Sequence, residues 1–322
     1  MRVARTFRIA AWALLVYTLA VILWGALVRA TGSGAGCGSH WPLCNGQVVP
    51  RDPSIETLVE YVHRVTSGLC WLGALLLPWL ARRAFPSGHL ARRASVAVFV
   101  LMTTEALVGA GLVLFEMVAE NASVARGWWM AGHLVNTFLL LGALGLTVLA
   151  ASSSSTPRPL ERPGRATALL GGLVLLLLAG SSGAVAALGD TLFPPRSVVE
   201  ALAADLSADA HPLVRLRLWH PLLAVAAGGY LVLVAASVGV QTRQEATRRA
   251  AVTVGAIVVV QLLLGALNVM LLAPVWMQLV HLLVADVLWL AWVRFSYLAL
   301  TPANVAPDPA RRGLPTRALE TA

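Results

Sequence analysis

A chain of 322 residues that is 58% hydrophobic and 12% charged, with a mean hydropathy of +0.77, has too little polar surface to cover a soluble globule. Its net charge of +9 would suit a nucleic-acid binder if gathered on one face. The arginines instead sort into alternate loops, so the excess is topological; nucleic acid is excluded as a partner and a lipid bilayer is required.

The first apolar run, about 9–28, follows Arg2, Arg5 and Arg8. No small-residue cleavage site follows it, so it reads as a retained helix rather than a removed signal peptide. Next comes a loop rich in Gly and Pro that holds Cys37 and Cys44. Seven positions apart on the oxidising side, the two suit a short disulfide, with two free thiols as the alternative. The second run, about 57–80, opens on Glu60-Tyr61-Val62-His63-Arg64 and holds Cys70, read as a small apolar packer. Glu60, His63 and Arg64 share one helical face, at a depth where each ionisable group costs about 2–3 kcal/mol or more.

Six further runs, about 94–115, 128–151, 166–188, 218–240, 250–272 and 275–300, also reach the roughly 20 residues that cross a bilayer. They are continuous rather than alternating, which predicts helices and excludes strands. Basic loops carrying Arg82, Arg83, Arg92 and Arg93, then Arg158, Arg162 and Arg165, then Arg243, Arg248 and Arg249 fall between helices two and three, four and five, six and seven. The tail adds Arg311, Arg312 and Arg317, so the positive-inside rule makes both termini cytoplasmic. The lack of a long Arg/Ser-rich presequence points to a bacterial plasma membrane.

The chain also repeats internally. With His63 set on His220, an offset of 157, the first helix ends in GALV (25–28) where the fifth has GAVA (183–186). Gly109-Ala110 matches Gly265-Ala266, while Trp128 and Trp276 each precede a histidine, His133 and His281, by five residues. The predicted fold is therefore an all-α integral membrane protein of eight transmembrane helices in two pseudo-symmetric four-helix bundles. Because four is even, the related axis runs along the membrane normal. Residues 1–151 form the first half, 152–165 a cytoplasmic linker, 166–300 the second half and 301–322 a disordered tail, with a polar outer loop at about 189–217.

His40, His89 and His211 fall in loops; His63, His133, His220 and His281 each begin an even-numbered helix, at one depth near the outer surface. Paired imidazoles in a bundle core are what axial ligation of haem iron needs, which predicts two bis-histidine sites. Interhelical hydrogen bonding would account for a lone histidine, and zinc would want a thiolate or carboxylate recurring in both halves. The halves differ at Glu60, whose repeat equivalent is Arg217. Only the first half thus sets a carboxylate beside its histidine, where it can move protons. Glu105 matches Gln261 and reads as polar packing, with a catalytic role as the alternative; Asp286, about one turn after His281, suits either electrostatic tuning of that side or a helix-helix hydrogen bond.

These residues resemble the haem A synthases, membrane enzymes that oxidise haem O to haem A for cytochrome c oxidase. GALVRATGSGAGCGSHWPLCNGQVVP (25–50) and EYVHR (60–64) carry the likeness, which extends over all eight helices. The resemblance implies haem b on His220 and His281, substrate haem O at His63 and His133, and a catalytic Glu60. It further implies two successive oxidations of a porphyrin methyl group, with water as the oxygen source. Haem O synthase and a membrane electron acceptor of unknown identity are the implied partners, and a homo-oligomer is compatible with the family. The chain departs from the family in lacking the second outer cysteine pair of some members and in its longer loop at 116–127.

Two other classes compete. A di-haem b cytochrome confined to electron transfer would not need a carboxylate in only one of two equivalent sites. A transporter would want paired Gly/Pro interruptions at mid-membrane, and none falls in matching helices.

Overall fold

A computed structural model describes residues 2–153 and 155–302. Among the described residues all regular structure is helical, and eight spans are long and apolar enough to cross a membrane. The first five are α1 (Arg2–Ala30), α2 (Ile55–Ala84), α3 (Leu90–Leu114), α4 (Val124–Ser152) and α5 (Pro163–Leu192). Short helices α6 (Val198–Leu206) and α7 (Pro212–Arg215) follow, then α8 (Trp219–Gln241), α9 (Glu245–Met270) and α10 (Val275–Leu300). The sixth span joins α7 to α8 through a tight turn.

Most of these helices outrun the apolar segments read from sequence. α1 begins at Arg2 and α2 continues to Ala84, because an arginine can lie its stem along the helix and keep its charge at the interface. Arg83 does so with its guanidinium 3.9 Å from the centre of the Trp79 ring. Hydroxyl caps fix several starts: Ser54 Oγ accepts from Thr57 N–H, Ser123 Oγ from Arg126 N–H and Ser197 Oγ from Glu200 N–H. The segment after α5, expected as a polar outer loop, folds into α6 and α7.

Neighbouring helices follow the same order in both parts of the chain. α1 packs on α2, α2 on α3, α3 on α4 and α4 back on α1; α5, α8, α9 and α10 make the corresponding circuit. Across the middle, α4 lies against α5 and α10, and α1 reaches α10 and α5. α4 is consequently the central helix, with 67% of its apolar window buried against 22–33% in the other seven spans. Phe138 on α4 stacks with Trp289 on α10 at 5.1 Å, and buried Trp292 donates its indole N–H to Leu169 O on α5. Leu76, Leu233 and Val240 point outward, as lipid-facing side chains should.

The linker between α4 and α5 is tied to the end of α10: Arg158 N–H donates to Leu300 O, and Arg162 and Arg165 donate to Ala299 O. Of the tail expected to be disordered, 303–322 lies outside the described residues.

Candidate functional site

Each of the four helical histidines lies within the first few turns of its helix, on α2, α4, α8 and α10. Three of them sit beside a glycine that makes room for the ring. A Cβ added at Gly25 would lie 2.8 Å from His63 Cε1, and one at Gly183 would lie 2.8 Å from His220 Cε1. At Gly265 the distance to His281 Cε1 is 3.2 Å. Gly109 differs, since nothing stands within 4 Å of a Cβ there. The glycines picked out by the repeat are thus ring-accommodating at three of four positions.

In the second half, His220 and His281 face each other with ring centroids 6.3 Å apart and planes at 86°. His220 Nδ1 lies 3.1 Å from Ala179 O and 3.2 Å from Ser182 Oγ, so the carbonyl fixes the ring proton on Nδ1 and leaves Nε2 a lone-pair donor. Gln261 directs its amide at His281 Nε2 and at the His281 carbonyl, both at 3.2 Å, while His281 Nδ1 is buried without a partner.

These residues fit a haem iron. Two imidazoles bound to one metal through bonds of about 2 Å would hold their ring centroids about 6 Å apart. The observed spacing agrees, and the orphaned His281 nitrogen is a buried polar atom that lacks the partner its burial calls for.

The first-half pair has a different setting. His63 Nδ1 is buried and unpartnered, and no ring contact joins it to His133 among the described residues. His133 Nδ1 lies 3.3 Å from Glu105 Oε1, close but out of line for a hydrogen bond. Glu105 itself is held from α4: Asn136 Nδ2 donates to Oε2 at 2.5 Å and the Thr137 hydroxyl donates to Oε1. Glu105, read from sequence as polar packing, is therefore the carboxylate nearest a first-half ring.

Glu60 is 3% exposed and makes no hydrogen bond to His63 among the described residues. Its Oε1 receives Arg64 at 2.5 Å and its Oε2 receives the Cys37 backbone N–H at 2.7 Å. Arg64 also donates to His40 O at 2.5 Å and Leu43 O at 2.6 Å. The pair thereby clamps the outer loop onto the start of α2. Cys37 and Cys44 are disulfide-bonded and buried within that loop. Gly36 crosses the top of α2 so closely that a Cβ would lie 2.5 Å from the Glu56 carbonyl, which fixes glycine at this position. The longer loop at 116–127 reaches the same region, with Val118 3.4 Å from a Cβ at Gly34. It is held by buried Arg126, which donates to Ala119 O and Asn121 O.

Arg217, the repeat equivalent of Glu60, also ties down its outer segment, with the charges reversed. It pairs with Asp205 at 2.8 Å and Asp190 at 3.1 Å. Sequence reasoning missed Arg29, which donates to Ala187 O and Thr191 Oγ1 on α5 and to Gln278 Oε1 on α10. The available signal was an arginine closing an apolar helix on the side of the membrane poor in arginine. Trp128 and Trp276 are 74% and 58% exposed, so the matched tryptophans face outward rather than lining a pocket. Asp286 is wholly buried with neither oxygen partnered.

Eight apolar helices bearing paired, sheltered histidines define a multi-pass membrane protein built for haem-related chemistry. The chain belongs to the cytochrome oxidase assembly protein family, whose model matches residues 8–293. It is 49% identical over 290 residues to a Thermus thermophilus protein named Protoheme IX farnesyltransferase, covering 90% of this chain and 48% of that protein. The chain thus spans about half the length of the Thermus relatives it matches. Shorter matches join it to proteins named Heme A synthase. The Alkalihalophilus pseudofirmus protein is 45% identical over 30% of this chain and 33% of its own length. That of Bacillus mycoides is 39% identical over 34% of this chain and 35% of its own.

Proposed function

We propose that the chain is a haem A synthase, an oxidoreductase that converts a methyl group of haem O to the formyl group of haem A for cytochrome c oxidase. The observation that carries this reading is the unequal setting of the two histidine pairs. His220 and His281 meet across 6.3 Å beside a neutral amide, Gln261, which suits a resident haem b. His63 and His133 are accompanied by two carboxylates, Glu60 and Glu105, which suits a haem that is itself the substrate.

When bound, haem b supplies one-electron transfer between the substrate site and a membrane electron acceptor. Each of the two oxidations releases two electrons and two protons in all as the oxygen of one water joins the methyl carbon; loss of water from the resulting diol leaves the formyl group. His63 and His133 would hold the substrate haem, and water would supply the oxygen. Glu60 takes the proton from the carbon or from the attacking water. Its Oε2 retains a lone pair beyond the one engaged by Cys37 N–H, and Arg64 keeps the carboxylate in place between turnovers. Glu105 orients the His133 ring. The clamped disulfide loop covers the outer end of the site and excludes bulk water.

The two helix circuits are taken as halves, 1–151 and 166–300, related by an axis along the membrane normal, with both termini cytoplasmic in a bacterial plasma membrane. The Thermus name also bears on a partner. Transfer of a farnesyl group to protohaem makes the substrate required here, and the matched region is about half of that protein. A haem O synthase docked beside this chain is the corresponding arrangement.

Expression of the full chain together with a haem O source, followed by chromatography of the extracted haems, tests the reading. Haem A should appear only when the chain is present. Unchanged haem O with two protein-bound haems would establish a di-haem b cytochrome instead. Haem O formed from protohaem without the added source would establish farnesyl transfer.

A further inference from the structure

At the end of the bundle remote from His63, His133, His220 and His281, α2 and α3 flank an open cavity of about 400 Å³. Arg82 from the last turn of α2 and Arg92 and Arg93 from the first turn of α3 converge on it. None of the three makes an ion pair among the described residues, and the sequence carries no Asp or Glu from 61 through 104. Three guanidinium groups around one space repel one another, and no carboxylate among the described residues pairs with them. An external anion is the missing component.

The cavity also has an apolar side. Pro78 and Val96 line it, Ser87 and Gly88 close it at the loop, and Val96 is 44% exposed toward the lipid. Below the opening, Leu75, Trp79 and Val100 continue an outward-facing apolar surface. Trp79, stacked under Arg83, marks the level of the membrane interface. A soluble phosphate would leave this apolar wall without a function, whereas a lipid would cover it.

We propose that this cavity binds the headgroup of an anionic phospholipid. Arg82, Arg92 and Arg93 grip its phosphate through forked N–H pairs, and its acyl chains descend along Val96, Val100 and Leu75. The ligand class is a phosphodiester lipid of net negative charge, and a zwitterionic lipid meets the arginines with a compensating cation. The site is independent of the histidine layer and of the reaction proposed above.

The test uses the full chain in phosphatidylcholine nanodiscs doped with brominated phosphatidylglycerol or brominated phosphatidylcholine, reading tryptophan quenching against a Trp79→Phe control. The Trp79 component should report about tenfold preference for the anionic lipid, from the charge of these arginines. The Arg82→Gln/Arg92→Gln double variant should lose that preference. So should Ser87→Glu, which leaves every arginine in place and changes an exposed loop residue. Arg158→Gln, which matches the one-unit charge change of Ser87→Glu elsewhere on the chain, should keep it. Equal quenching by the two lipids in the wild type overturns the proposal. Preference that survives both Ser87→Glu and the double variant also overturns it. Displacement of the brominated lipid by millimolar-range inorganic phosphate alone would reassign the cavity to a soluble anion.

Discussion

Glu105 Oε1 lies 3.3 Å from His133 Nδ1, while its repeat equivalent, Gln261, meets His281 at the other ring nitrogen, Nε2. The same position on α3 and α9 thus gives one imidazole a carboxylate and the other an amide, approached from opposite sides of the ring. A Glu105→Gln variant keeps the size and one acceptor oxygen for Asn136 or Thr137 but removes the charge. Haem A formation should fall about 10–100-fold, the usual scale for loss of a carboxylate behind a ligand histidine. The spectrum of haem b in the other half should not change. Unaltered haem A yield would reduce Glu105 to a packing residue.

Glu60 serves the outer loop and, in the mechanism proposed, the proton. Glu60→Ala and Glu60→Gln should each lower haem A by about 10²-fold or more, with haem O or a partly oxidised haem accumulating. Arg64→Ala separates the two roles: it frees His40 O and Leu43 O yet leaves the carboxylate. If Arg64→Ala retains most activity while Glu60→Gln does not, chemistry rather than loop anchoring explains Glu60. Equal losses in both would assign Glu60 to the clamp.

Replacing His220 or His281 with Ala should abolish the low-spin, bis-histidine haem b spectrum of the purified protein. Full haem b absorbance in both variants would overturn that pair as ligands.

The ring-accommodating glycines allow a finer test that removes no ligand. Gly183→Ala places a methyl group 2.8 Å from His220 Cε1, so the ring must shift and haem b occupancy should drop severalfold. Gly109→Ala enters open space, should leave haem content unchanged and should raise the melting temperature slightly through helix propensity. Identical haem content in the two variants would sever the link between these glycines and the site.

Thiol alkylation with and without reductant checks the outer loop. Cys37 and Cys44 should label only after reduction, and Cys70, buried in α2, only on unfolding.

Much of this architecture was legible because its signals are local. Runs of about twenty apolar residues specify spanning helices, and a histidine is costly enough in such a run that four at matched depth stand out. The cysteine pair needed only its spacing and its side of the membrane. The contacts that distinguish the two sites were not legible, because they join residues remote in sequence. Glu105 meets His133 from the preceding helix, and Asp190 and Asp205 converge on Arg217 from two segments. Spacing also placed Glu60 and His63 on one helical face, yet both Glu60 oxygens are engaged by Arg64 and Cys37. Shared facing gives opportunity for contact, and the strongest competing partner decides it. Helix ends were underestimated because hydropathy stops at the hydrocarbon boundary while the hydrogen-bonded ladder continues through the headgroups.

Arg29 gives the two histidine pairs a common frame. From the end of α1 it holds Ala187 and Thr191 on α5 and Gln278 on α10 at 2.7–2.8 Å, three residues from His281 in the last case. Every acceptor in this clamp is uncharged, so gain or loss of an electron nearby does not change its stoichiometry of protons or break a pair. If haems bind at both histidine pairs as proposed, two redox centres mounted on such a frame would exchange electrons across a separation set once, at folding. The rate between them would then be a property of the scaffold, and only the arrival of the proposed substrate and the departure of electrons would remain to be controlled.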